Sequence, residues 1–272
     1  MDSNAKNYYN QTSHDYVQKW GALEQKPNNP SHYYRKALMG EVLRMSNIKR
    51  GERVIEIGSG TGLILREVCQ RTDWVFGTDV SLEMLKRAAE SVLKRYKVNI
   101  VDDFSLIDKY TPNEIWLTVN DFLDLKLPKN YFDKILSVEV LRYIDRLGQC
   151  LENVKQIMNN NSLFIFTITN LWSFSFFPIK FFLRRKMGLV GKDELQQYFV
   201  TEGAIRKMLK NAGYEIVEFI RFGFLTANPL ARRLIKNEII FEKLFNFDKK
   251  LAQMPIFNRF FDTFIVSIRK VS

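Results

Sequence analysis

The sequence predicts an α/β protein with a doubly wound, mostly parallel seven-stranded sheet, an N-terminal helical cap and a helical insertion before the last strand. Three observations carry that expectation. Short apolar or β-branched runs alternate with stretches of helical periodicity, the first run ends in three closely spaced glycines, and acidic residues close later runs.

Residues 1–30 are polar but hold Tyr8, Tyr9, Tyr16 and Trp20, more aromatic surface than a disordered tail carries. They are expected to form a short helical cap over a site. Pro27-Asn28-Asn29-Pro30-Ser31 breaks the chain, and Tyr34, Leu38, Val42 and Met45 then recur at helical spacing up to Asn47. Val54, Ile55 and Ile57 suit a strand covered on both faces, and Leu63 to Cys69 reads as a helix. Trp74 to Asp79 is the second strand. Ser81 can cap the next helix, whose Met84, Leu85, Ala88, Ala89 and Val92 form an apolar stripe. The charged stretch from Lys94 to Asn113 has no assignable period. Ile115 to Val119, Lys134 to Val138 and Leu163 to Ile168 read as strands three, four and five, with a helix on Leu147, Leu151, Val154 and Met158 before the fifth. Thr201 to Ala212 is a helix stopped by Gly213, Tyr214 to Phe219 a sixth strand, and Asp262 to Arg269 a seventh. Between the last two strands, Pro229 to Phe261 reads as helical. The expected division is 1–46 for cap and first helix, 47–170 for a cofactor-binding core, and 171–272 for the acceptor side.

Composition bounds the class. The 272 residues, 46% hydrophobic and 26% charged, suffice for a full core. No run of eighteen apolar residues occurs, and Met1 to Lys6 lacks the apolar stretch of a signal peptide, so a cytoplasmic protein is expected. Cys69 and Cys150 fall in helical stretches without metal-ligand spacing and read as reduced, buried thiols; no metal site is expected. The net charge of +11 is uneven: Leu171 to Ser272 holds 18 Lys and Arg against 9 Asp and Glu, leaving only +2 for the first 170 residues. A basic segment rich in Phe suits an anionic or membrane-associated partner.

The chemistry is concentrated in Val54-Ile55-Glu56-Ile57-Gly58-Ser59-Gly60-Thr61-Gly62. A glycine-rich turn between strand and helix lets backbone N–H groups approach a ligand. Asp79 closes the second strand 23 residues after Glu56, the separation at which a carboxylate reads ribose hydroxyls. The loop spacing is Gly-x-Gly-x-Gly, not the Gly-x-Gly-x-x-Gly of dinucleotide sites. Glu56 would repel a pyrophosphate but pair with the ammonium of a methionine moiety, which favours S-adenosylmethionine over NAD.

These residues, with Gly77-Thr78-Asp79-Val80-Ser81-Leu82-Glu83-Met84-Leu85, resemble the class I S-adenosylmethionine-dependent methyltransferases that modify small molecules, quinones and lipids. The likeness runs from Tyr33 to Asn170 and implies the Rossmann-like methyltransferase fold. It implies that Glu56, Gly58, Ser59, Gly60 and Gly62 hold the methionine end, Asp79 the ribose and Val80 the adenine face. Asp121 and Phe122 would flank the adenine edge, and Ser137 and Val138 would line the methyl-donor pocket. In one departure, Arg142-Tyr143 stands where many relatives have Glu-His, so a base role there is vacant or falls to Tyr143.

Methyl transfer from a sulfonium is an in-line displacement in which alignment is the protein's main contribution. Glu139, Tyr143 and His14 are the candidate catalytic side chains. Tyr8, Tyr9 and Tyr16 could wall the sulfonium by cation–π contact. The aromatic and basic run Leu171 to Lys186, joined by Arg232, Arg233, Lys236, Lys243, Lys249 and Lys250, suggests an apolar or lipid-linked small acceptor and an anionic membrane surface bound peripherally. Nucleic acid is the less expected partner, because no Asn-Pro-Pro-Tyr type of motif follows strand four. An RNA or tRNA methyltransferase and a non-catalytic binding protein of this fold are the alternatives. The sequence leaves the oligomeric state open.

Overall fold

The computed structural model describes residues 3–21, 29–104, 110–175, 182–183, 186 and 195–271. Among them, eight strands form one sheet: β1 (Arg53–Ile57), β2 (Trp74–Asp79), β3 (Lys97–Val101), β4 (Glu114–Val119), β5 (Phe132–Ser137), β6 (Met158–Thr169), β7 (Tyr214–Phe222) and β8 (Thr263–Lys270). Their spatial order is β3-β4-β2-β1-β5-β6-β8-β7. The first six pair in parallel, while β8 runs antiparallel to both β6 and β7. This is the expected doubly wound fold with one strand more than the sequence predicts.

The extra strand is β3, inside the unassigned stretch from Lys94 to Asn113. As an edge strand it has neither fully covered faces nor an apolar run. Lys97 and Asn99 instead hold Glu114 of the neighbouring strand, each at 2.7 Å. By contrast, β1 is covered on both sides. Ile55 and Ile57 pack into the core layer on one face and Val54 into the layer on the other, all at most 2% exposed.

Several helices start on side-chain caps. α1 (Ser3–Gly21) is the expected cap, resting on α4 (Leu82–Arg87), where the Ser81 hydroxyl donates to Asn10 Oδ1 at 2.6 Å. α2 (Pro30–Ser46) starts with the Asn29 side chain accepting from the Ser31 and His32 N–H groups and ends at Asn47 in the left-handed region. α3 (Leu63–Val68) follows the glycine turn. α5 (Leu147–Ile157) and α6 (Glu202–Asn211) cover the sheet. The insertion folds as α7 (Pro229–Arg232), α8 (Glu238–Leu251) and α9 (Pro255–Asn258). α8 is fixed to α2 by Lys249–Glu41 at 2.7 Å and Lys36–Glu238 at 2.8 Å. Winding the parallel strands this way brings the carboxyl ends of β1, β2, β4 and β5 to one edge, where ligands of such sheets bind.

Candidate active site

Three clefts share walls at that edge. The glycine turn shapes two of them, with Gly58, Gly60 and Gly62 at φ +78°, +52° and +80°. A Cβ on Gly58 would stand 2.3 Å from Val140 Cγ2, so only glycine fits there. The turn is tied to β2: the Gly58 and Ser59 N–H groups donate to the Thr78 carbonyl at 2.7 and 2.9 Å.

Asp79 is the second tie. Its Oδ2 accepts from the Gly60 N–H and its Oδ1 from the Ser81 N–H, both at 2.9 Å. Burial pushes this carboxyl up to about 6, while the Ser81, Gly60 and Val80 N–H groups pull it down. Glu56 is only 3% exposed, and its Oε2 has no hydrogen-bond partner among the described residues. Burial first, and then the nearby Asp79 charge, raise its carboxyl well above the ordinary range.

The first cleft, about 570 Å³, is lined by Gly58, Gly60, Asp79, Val80, Phe122, Val138, Glu139 and Tyr143 of the expected set. The second, about 400 Å³, takes in Glu56 and Ser59 and shares Gly58, Gly60 and Val138 with the first. Gly62 stands at the N-terminus of α3 and shapes the turn without lining either. Ser137 is fully buried and donates to the Ile57 carbonyl at 3.0 Å, tying β5 to β1. Asp121 uses its Oδ1 to accept from the Leu123 N–H at 2.9 Å, closing its own turn. His14 lies on the exposed side of α1. Tyr9 lines the first cleft, its ring edge-on to Tyr8 at 5.3 Å and to Tyr143 at 6.2 Å. The side chain of Tyr16 is outside the described residues, as are 176–181 and 184–185 of the aromatic and basic run.

Glu139 joins the first cleft to a third, of about 940 Å³. It is held in the left-handed region, φ +60°, with its N–H donating to Thr167 Oγ1 at 2.7 Å. Arg35 Nε donates to its carboxylate at 3.0 Å, and Arg142 approaches at 3.5 Å. Burial alone would raise this carboxyl; the Arg35 and Arg142 charges instead hold it at about 2. The third cleft is also lined by Tyr34, Arg142, Arg232 and Asp262.

Sequence reasoning missed Asn120 and Arg35. Asn120 lines the first cleft one residue before Asp121, and its N–H donates to the Asp79 carbonyl at 3.0 Å. The expectation of acidic residues at strand ends passed over this amide. Arg35 borders both the 400 and 940 Å³ clefts from α2. It lies beside the apolar stripe of Tyr34 and Leu38 and directly before Lys36, where a basic pair reads as solvated surface.

A protein-family model described as a methyltransferase domain matches residues 31–219. The demethylmenaquinone methyltransferase of Tropheryma whipplei strain Twist is 24% identical over 194 residues, 66% of this chain and 74% of its own. Among solved structures, the magnesium protoporphyrin IX methyltransferase of Synechocystis PCC 6803, with bound S-adenosylhomocysteine, superposes with a TM-score of 0.60 at 15% identity. It covers 99% of this chain and 100% of that one. Phosphoethanolamine N-methyltransferase 2 of Haemonchus contortus, in complex with phosphomonomethylethanolamine and S-adenosylhomocysteine, gives 0.64 at 17% identity over 100% of this chain and 61% of that one.

The residues present fit an adenosyl sulfonium ligand. The unpartnered Oε2 of Glu56 suits an ammonium group. Asp79 keeps lone pairs beyond its two N–H bonds for ribose hydroxyls, and Val80, Phe122 and Met84 give the first cleft apolar walls.

Proposed function

Because the chain belongs to the methyltransferase-domain family, as a class I S-adenosylmethionine-dependent methyltransferase, we propose that it methylates an oxygen or nitrogen nucleophile of a small apolar or lipid-linked acceptor. The bound sulfonium supplies an activated methyl group for in-line displacement. The chain's own part is to align the partners. Glu56, Ser59 and the glycine turn hold the methionine end, Asp79 the ribose, and Val80, Phe122 and Asn120 the adenine. Tyr9 and Tyr143 cover the first cleft, and the acceptor enters through the third. With its carboxyl held at about 2, Glu139 is too weak a base to take a hydroxyl proton. Its role is to position Arg35 and Arg142 between donor and acceptor.

The observation that carries the acceptor class is the mouth of the 940 Å³ cleft. Pro229 and Arg232 line it from α7, while the same segment exposes Leu230 (69%) and Leu234 (65%) beside the exposed Arg233 and Lys236. Apolar side chains interleaved with cations suit the surface of an anionic bilayer. Trp172, Phe182 and Leu183 of the aromatic and basic run are also about half exposed. Lys249 is engaged by Glu41 and takes no part in such a surface. No helix among the described residues is long and apolar enough to cross a membrane, so attachment would be peripheral. The demethylmenaquinone methyltransferase among the relatives agrees with an apolar acceptor.

Calorimetry of S-adenosylmethionine with the wild type and Asp79→Ala tests the donor site, and absence of binding to the wild type would refute it. A labelled methyl-donor assay against lipid, quinone and tRNA pools then tests the acceptor. Transfer into lipid or quinone, with co-sedimentation on anionic liposomes at moderate salt, is expected. Label in tRNA alone would replace this reading with the nucleic-acid one.

A further inference from the structure

We propose that the acceptor cleft contains an oxyanion-binding site centred on Arg232, so that the acceptor carries a phosphate or carboxylate near the atom that is methylated. The inference rests on the methyltransferase reading above and adds a charge requirement to it.

The charged groups facing the cleft are Arg35, Arg142, Arg232, Glu139 and Asp262. Glu139 is paired with Arg35 and Arg142, and the more distant Arg232 charge adds to theirs. Asp262 is solvated by hydroxyls. Ser173 and Ser175 donate to its Oδ1 at 2.6 and 2.7 Å, and Tyr34 donates to its Oδ2 at 3.1 Å. Arg232 is different. Its Nε donates to the Thr226 carbonyl at 2.8 Å, and its guanidinium carbon lies 4.9 Å from the centre of the Tyr34 ring. Those contacts fix the plane of the guanidinium but use neither terminal nitrogen. No carboxylate among the described residues lies within ion-pair distance of it.

A half-buried guanidinium held on an aromatic face, with both Nη groups unspent, is preorganised for an oxyanion, which it can grip through two parallel bonds. The hydroxyl of Ser31, at the start of α2, lines the same cleft and offers a further donor. A wholly apolar acceptor would leave those donors facing hydrocarbon, a loss that an acceptor carrying an oxyanion avoids. The clefts for donor and acceptor share the wall at Glu139, so an anion on Arg232 would hold the acceptor beside the transferred methyl group.

The test uses the full chain with S-adenosylhomocysteine bound, at constant ionic strength set with sodium chloride. Inorganic phosphate, acetate, and vesicles of phosphatidic acid in phosphatidylcholine are titrated against the wild type, Arg232→Gln and Arg95→Gln. Saturable binding to the wild type is expected, weakened about tenfold or more by Arg232→Gln and left within about twofold by Arg95→Gln, which removes the same charge from an exposed position away from the clefts and from the proposed membrane-facing segment. Loss confined to vesicles assigns the oxyanion to a lipid headgroup, and loss with the soluble ions assigns it to a soluble acceptor. Equal effects of the two variants, or none from Arg232→Gln in any arm, would overturn the proposal. S-adenosylhomocysteine affinity is measured in parallel. If the wild type does not bind it, the methyltransferase reading fails; if all variants bind it alike, a failure belongs to the oxyanion site alone.

Discussion

Arg35 of α2 and Glu139 of the segment after β5, 104 residues apart, form an ion pair on the wall where the 570, 400 and 940 Å³ clefts meet. The two side chains are 12% and 24% exposed, so the pair is neither solvated nor fully desolvated. Removing Arg35 leaves Glu139 with the longer contact to Arg142 at 3.5 Å. Arg35→Ala is expected to destabilise the protein by about 1–3 kcal/mol, below the cost of opening a fully buried pair. The double variant Arg35→Ala, Glu139→Gln should recover part of that loss. Chemical denaturation of Arg35→Ala, Glu139→Gln and the double variant measures it, and purely additive losses would show that the pair contributes nothing.

Cofactor affinity should depend on pH through Asp79. Its carboxyl sits at about 6 in the folded chain against about 3.9 in an unfolded one. Without ligand, a raised folded value means that the stability this group contributes is lost as pH rises through the interval from about 4 to about 6. Ribose hydroxyls need the anion as acceptor, so S-adenosylmethionine binding should tighten as pH rises through about 6. The neighbouring Glu56 is also raised well above the ordinary carboxyl range, by burial first and then by the Asp79 charge. Calorimetry from pH 5 to 7.5 on wild type and Asp79→Asn checks this, and a flat wild-type profile would contradict it.

The fold was legible in the sequence where strands are covered on both faces, as at Val54, Ile55 and Ile57, because such strands have no polar positions to confuse the pattern. It was illegible at Lys97 to Val101, where the strand's neighbour supplies the pairing and the polar side chains bond sideways to Glu114. The glycine turn and the carboxyls beside it were readable because Gly58, Asp79 and Glu56 answer to local geometry: a left-handed turn and two carboxyls at or near strand ends. The lining of the 940 Å³ cleft was not. Arg35, Arg142, Arg232 and Asp262 meet from four separate segments of the chain, and no local spacing records that meeting.

Gly58 should be the least replaceable glycine of the turn. Gly58→Ala adds both a Cβ overlap with Val140 and a side chain at φ +78°, so a loss of about 2–4 kcal/mol in stability is expected, with cofactor binding abolished. Adding Val140→Ala relieves the overlap but not the backbone strain, and should return only part of the stability. Full recovery in the double variant, followed by thermal unfolding, would show that the left-handed conformation costs nothing.

Asp248 of α8 ties the insertion to the segment that borders the 940 Å³ cleft. It is 2% exposed, and its carboxylate accepts from the N–H groups of Phe224, Leu225 and Thr226 and from the Thr226 hydroxyl, at 2.7–3.1 Å. Burial raises its carboxyl, while those donors oppose the rise. The Thr226 carbonyl in turn holds Arg232, so Asp248 positions the guanidinium two steps away. Asp248→Asn keeps the volume but turns an NH2 group toward one of these donors, at a cost of about 2–3 kcal/mol in stability. Because none of these contacts reaches the glycine turn, S-adenosylmethionine affinity should be unchanged while KM for the acceptor rises. A matching loss of cofactor affinity would mean that the insertion and the donor site are coupled through the sheet, and that Asp248 supports the whole site.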